Sequence, residues 1–207
     1  MTSWKAFYDR TEKRAPSVLL NRALDLASDL QPRLAIDLGC GTGNEAWQLI
    51  QAGWQVLAID KEPEAILRTM NKCSMDDARR LDARVADFEY LTELPPSNLI
   101  HAGLSLPFCH PSRYPYLWSQ ICQSLPTGGV FAGHFFGKKH SWASQERMTF
   151  HSADDVEAMA AGFQVILLRE TESSMVIDSE SVNWHRIDVI LRRDSPRNTE
   201  TQRHTCR

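Results

Sequence analysis

Apolar residues fall into short runs that end in acids, glycines or prolines, and between those runs they recur at helical spacing. The first run is Leu34–Leu38 and the second covers residues 55–59. Later runs cover 83–86, 98–106, 130–136, 164–168 and 185–191. Runs this short, bounded by turn residues, predict buried strands. Helical spacing predicts a helix over 18–30, with leucines at 19, 20, 24, 26 and 30 on one face and Ser17 as its cap. Further helices are predicted over 44–52, stopped by Gly53, over Pro63–Lys72, with proline in its first turn, and over 114–125. Ser152 followed by Asp154 and Asp155 reads as another helix N-terminus, since acids suit its positive end. Strands alternating with helices predict an α/β fold: a doubly wound, seven-stranded, mostly parallel sheet with helices on both faces. The last two strands have no helical segment between them and are expected to pair antiparallel at the sheet edge.

Composition narrows the class without changing that picture. A chain of 207 residues is expected to form one domain, here residues 1–193. Residues 1–30 are expected to form a helical cover, and the polar stretch 194–207 a disordered tail. Hydrophobic content of 43% and charge of 24% are ordinary for a globular protein. A net charge of −3 offers no general attraction for nucleic acid. No run is long enough to span a bilayer, and the first residues lack the apolar core of a signal peptide. The five cysteines form no C-x-x-C pair, which suits a reducing compartment and a cytoplasmic location, and no metal site is expected. The oligomeric state is left open.

Candidate chemistry begins after the first strand. Leu34–Leu38 contains Asp37 and runs into Gly39, Gly41 and Gly43, with Cys40 and Thr42 between them. A strand, a glycine loop, a helix and a second strand ending in Asp60 form the βαβ plan of a nucleoside-binding fold. Dinucleotide sites want G-x-G-x-x-G, so that a pyrophosphate can rest on the helix end. Here the spacing is G-x-G-x-G, Asn44 stands at the third dinucleotide glycine, and Asp37 would repel a pyrophosphate. An acid there suits a ligand carrying an ammonium group.

On these residues the chain resembles the class I S-adenosylmethionine (SAM)-dependent methyltransferases, whose first motif reads much like residues 37–43. The resemblance implies that the loop backbone of Gly39, Cys40, Gly41 and Gly43 meets the methionyl part of SAM, with Asp37 near its ammonium. Asp60 would accept from both ribose hydroxyls, and Lys61 would lie at the ribose or adenine edge. Asp87 and Phe88 would hold the adenine, and Gly103 and Leu104 would lie beside the sulfonium. Tyr8 and Arg14, in the N-terminal segment, would face the sulfonium and the SAM carboxylate. The stretch from Leu106 to Pro111, with Gly128, Gly129 and residues 135–137, is similar to small bacterial methyltransferases of the tellurite-resistance and thiopurine-like group. That likeness implies a small or soft acceptor. A base is needed only if the acceptor must lose a proton, and His110, which follows the fourth strand where ligands meet a switch point, is the candidate on the acceptor side, with His134 and His140 as the other histidines near it in the sheet and the loop after it. A catalytically silent SAM-binding interaction module and a nicotinamide-dependent reductase are the competing readings.

Overall fold

A computed structural model describes residues 4–15, 17–177 and 180–195. The helices are α1 (Trp4–Thr11), α2 (Val18–Leu26), α3 (Asn44–Gln51), α4 (Pro63–Lys72), α5 (Tyr114–Ser124) and α6 (Ala153–Met159). The strands are β1 (Leu34–Leu38), β2 (Gln55–Asp60), β3 (Leu81–Val85), β4 (Leu99–Ala102), β5 (Val130–Gly137), β6 (Phe150–His151), β7 (Phe163–Ile177) and β8 (Glu180–Arg193). They form one sheet in the order β3-β2-β1-β4-β5-β8-β7, with β6 paired to β5. All pairings are parallel except those of β8 with β5 and β7. The expected doubly wound sheet and its antiparallel hairpin at the edge are both present. Among the described residues no helix is long and apolar enough to cross a membrane.

Helices cover both faces. One face packs Ala35, Ala58, Leu99, Ala132 and Ile190 against Leu20 and Ala23 of α2 and Leu49 and Ile50 of α3. The other packs Ile36, Ile100, Phe131 and Val189 against Leu117, Trp118 and Ile121 of α5 and Val156 of α6. Strands buried on both faces explain why the central runs are apolar at nearly every position. Ser17 caps α2 by accepting from the Leu20 N–H. Ser152 and Asp155 form a reciprocal capping box on α6. A 15-residue β7 and 14-residue β8 exceed the 8 residues of β5, so the hairpin reaches past the body of the sheet.

Several expected bounds are corrected, most of all those of the edge strands, expected over 164–168 and 185–191 and observed over Phe163–Ile177 and Glu180–Arg193. The helix from residue 18 ends at Leu26 rather than 30. The third strand begins at Leu81, two residues before the apolar run. The fourth strand is only Leu99–Ala102: Gly103 turns the chain away, and residues 103–106 leave the sheet although most of them are apolar. The two-residue β6 was not anticipated, because so short a segment carries no periodicity. Of the expected polar tail, residues 196–207 lie outside the described residues.

Candidate active site

The strand order reverses between β1 and β4, and in open α/β sheets ligands bind outside the strand ends at that point. The glycine loop leaves β1 there. Gly39 takes φ +73°, and a Cβ on it would lie 2.2 Å from the Ser105 Cβ. The loop can therefore be so close to the β4 turn only because residue 39 has no side chain. Ser105 ties the two together by donating from Oγ to the Leu38 carbonyl at 2.5 Å. Gly43 packs against α4 in the same way, with φ +76° and a would-be Cβ 2.8 Å from the Thr69 Cα. Leu104, in the β4 turn, is the sole non-glycine with positive φ (61°) among the described residues. Strain of that kind, costing roughly 1–3 kcal/mol, gathers at functional sites.

Asp60, at the end of β2, is nearly buried and accepts from the Gly41 N–H at 2.9 Å and the Glu62 N–H at 3.0 Å. Each carboxylate oxygen holds one backbone donor and keeps a lone pair for a further one. Burial pushes its pKa up, against the pull of those two N–H groups. Phe88 lies beside the same loop, with its Cζ 3.5 Å from a Cβ on Gly39. Asp87 spends one oxygen on the Glu89 N–H, capping the short turn Phe88–Tyr90.

Helix α1 lies over the loop. Tyr8 is 3% exposed, and its Cε1 faces Gly41. Burial, with the charges of Asp60 and Glu62, drives its hydroxyl pKa well up. Trp4 stacks on Tyr8, meets Phe108 edge-on at 5.1 Å and receives the Lys61 ammonium over its ring at 5.8 Å. The helix thus bridges the β2 and β4 ends. Arg68 of α4 clamps it by pairing with Asp9 and Glu12 as well as with its own Glu64. Arg14 pairs with Glu45 at 2.5 Å, so in this structure its guanidinium is directed to the first turn of α3.

Cys40 is buried beside Thr69, and burial followed by the Asp37 charge holds its thiol well above the ordinary range, so it stays a neutral packing group. His110 lies apart from the glycine loop. Its Nδ1 contacts the Ser112 hydroxyl at 2.8 Å and accepts from the Ser112 N–H at 3.2 Å. It lines a hollow of about 490 Å³ with Glu89, Tyr90, Ser112, Arg113 and Arg147. A second hollow, of about 260 Å³, lies at the opposite, amino-terminal ends of β1 and β2 and contains none of the expected site residues.

Asp37 is 1% exposed, and its Oδ1 meets His101 Nδ1 of β4 at 2.9 Å. Burial by itself would lower the His101 pKa, but the hydrogen bond and charge of Asp37 outweigh it and the net direction is up. His101 was missed in the sequence, where it is a lone polar residue inside an apolar run. No signal there distinguishes it from a packing histidine.

The comparisons with known proteins address this same region. A family model described as a methyltransferase domain matches residues 35–129. A little under half of the chain thus matches a methyltransferase domain. The ribosomal protein L11 methyltransferase of Porphyromonas gingivalis is 32% identical over 90 residues, or 43% of this chain and 30% of the relative. The chain thus spans less than a third of that curated relative's length. TehB from Haemophilus influenzae superposes with a TM-score of 0.70 at 13% identity, covering 84% of this chain and 62% of TehB. The N-methyltransferase NodS from Bradyrhizobium japonicum, in complex with S-adenosyl-L-homocysteine (SAH), superposes with a TM-score of 0.63 at 12% identity, covering 93% and 99%. These likenesses extend the methyltransferase fold beyond the matched segment to the edge hairpin.

Proposed function

We propose that the protein transfers the methyl group of SAM to a small-molecule acceptor. The observation that carries this reading is the coupling of the glycine loop to Asp60, whose carboxylate takes the Gly41 N–H and keeps an acceptor position on each oxygen. A ribose diol fits a carboxylate that can only accept. Phe88, beside Gly39, would flank the adenine, and Lys61 would reach the ribose or adenine edge from the end of β2. Asp87 has one oxygen free for the adenine amine. The methionyl end would run along Gly39, Cys40, Gly41 and Gly43 towards Asp37, with Arg14 redirected from Glu45 to the carboxylate. Gly103, Leu104 and Tyr8 would surround the sulfonium. His110 stands on the acceptor side.

Methyl transfer is an in-line displacement at a carbon already activated by positive sulfur, so the protein's main work is alignment and exclusion of water. The α1 roof of Trp4 and Tyr8 supports both. The segment matched by the family model ends at residue 129, before β5 and the edge hairpin, so no relative's acceptor carries over. A single domain working in the cytoplasm on a small molecule, without nucleic acid, completes the reading. Calorimetric titration of the full chain with SAM, SAH and NADH tests it. Micromolar binding of the first two and none of the third is expected. NADH binding, or no SAM binding, would overturn it, and SAM binding without turnover of any acceptor in a broad screen would favour the silent binding module.

A further inference from the structure

Three segments that follow the carboxyl ends of parallel strands enclose the hollow beside His110. Glu89 and Tyr90 follow β3, the stretch with His110, Ser112 and Arg113 joins β4 to α5, and Arg147 lies between β5 and β6. Its volume of about 490 Å³ falls within the roughly 300–1,000 Å³ of small-molecule sites. The walls are tied together. Thr149 donates from its N–H to the Pro107 carbonyl at 2.9 Å and from its hydroxyl to the Cys109 carbonyl at 2.7 Å. Arg113 Nε donates to the Glu89 carbonyl at 2.9 Å. The β4 wall also continues to the proposed SAM crevice: two residues before His110, Phe108 meets Trp4 of the α1 roof at 5.1 Å.

The lining is rich in donors and poor in acceptors. Arg113 is held without a carboxylate partner among the described residues. Its guanidinium lies 5.5 Å from the centre of the Tyr116 ring, and the Tyr116 hydroxyl donates to the Thr92 carbonyl at 2.7 Å. Only Nε of that guanidinium is spent, so both Nη groups stay free. Arg147 is 81% exposed and 3.9 Å from Glu89, too far for a hydrogen bond. Glu89 is the sole acid of the lining, so two guanidiniums face one carboxylate. His110 Nδ1 accepts the Ser112 N–H, which puts the hydrogen of the neutral imidazole on Nε2 and makes that nitrogen a donor. Helix α5 starts here with no acid in its first turn, and its positive end adds to the same field. An oxyanion accepts at every oxygen and matches the guanidinium fork, whereas a neutral or cationic ligand matches neither the donors nor the charge.

We propose that this hollow is an oxyanion site, and that it holds a carboxylate or phosphate group of the methyl acceptor. Arg113 is the fixed fork that receives the anion, Arg147 closes over it from the exposed side, and His110 donates to it from Nε2 rather than taking a proton. The anion site stands on its own geometry, while its link to the acceptor rests on the methyl-transfer reading above.

Titrations of the full chain with sodium benzoate and with inorganic phosphate at constant ionic strength, followed by amide NMR shifts, test the site without any acceptor. At least one probe is expected to saturate: benzoate if the site takes a carboxylate, phosphate if it takes a phosphate group. Arg113→Gln should weaken that binding about tenfold, the effect of losing a hydrogen bond to a charged group. Arg147→Gln should weaken it by a smaller factor, about threefold on the same scale, and it carries the test if the Arg113 variant does not fold. Arg22→Gln, at an exposed position on α2, should change nothing. Absence of saturation, saturation unaltered in the Arg113 and Arg147 variants, or an equal loss in Arg22→Gln would overturn the site. In an acceptor panel with SAM, turnover should be confined to compounds carrying a carboxylate or phosphate, and equal turnover of neutral ones would overturn the link to the acceptor. Anion binding by a chain that binds no SAM would instead remove the methyl-transfer reading and leave the anion site standing.

Discussion

Replacing Asp60 with asparagine separates the two tasks of that carboxylate. The side chain keeps its shape but loses its charge, and one of its two acceptor oxygens becomes an NH2 group facing a backbone N–H at about the 3 Å now spanned by the hydrogen bonds from Gly41 and Glu62. A hydrogen bond to a charged group contributes about 1.5–3 kcal/mol. Losing that much of the ribose contact predicts SAM binding weaker by roughly 10- to 150-fold, since 1.4 kcal/mol is tenfold. The pH dependence supplies a second signature. Burial raises the Asp60 pKa in the folded chain, so the carboxylate takes up its proton at a higher pH than an exposed one. SAM needs the ionised form, so its affinity should fall with decreasing pH through that raised pKa, above the usual aspartate range. The same raised pKa means that ionising Asp60 disfavours the fold: its contribution to stability declines as pH rises from the ordinary aspartate value through the folded one. Isothermal titration of the unmodified chain and Asp60→Asn with SAM across the acid range measures both effects. An unchanged dissociation constant, or an acid limb that persists in the variant, would refute the ribose assignment.

Gly39→Ala should cost about 2–5 kcal/mol in chemical denaturation, because a Cβ at φ +73° is strained and would overlap the Ser105 Cβ at 2.2 Å; a loss under 1 kcal/mol would show that the loop and the β4 turn can separate. Ser152→Ala should cost about 1 kcal/mol through loss of the α6 capping box, with SAM affinity unchanged; a neutral result would mean that tertiary packing alone holds α6. His110→Ala should lower turnover with SAM affinity within about twofold, since the ring lies in its own hollow beside Arg113 and Arg147; equal loss of both would take it off the acceptor side.

Much of the frame was legible because its signals are local. The first strand ends where an apolar run meets three closely spaced glycines, and the boundaries of β1 and the start of α4 at Pro63 agree with the structure to the residue. Proline at the start of α4 and the serine caps of α2 and α6 act through the chain's own backbone groups, so neighbouring residues suffice to find them. The misreadings share the opposite cause. Residues 103–106 are mostly apolar, yet they leave the sheet because Ser105 is bonded to Leu38, far away in sequence. The polar residues 169–174 hid the length of β7, since a strand on the sheet edge needs no apolar face there.

The alternation of strand and helix, the glycine loop and the acids at the strand ends follow from residue order alone, because hydrophobic period, backbone freedom and capping are properties of adjacent residues. That Arg14 meets Glu45, that Tyr8 roofs Gly41, and that Asp37 and His101 share a buried hydrogen bond at the switch point follows from the folded arrangement. Those contacts depend on β4 crossing over to lie beside β1 and on α1 folding back across the strand ends. The order of strands in a sheet is set by the packing of the whole domain, and no local pattern encodes it.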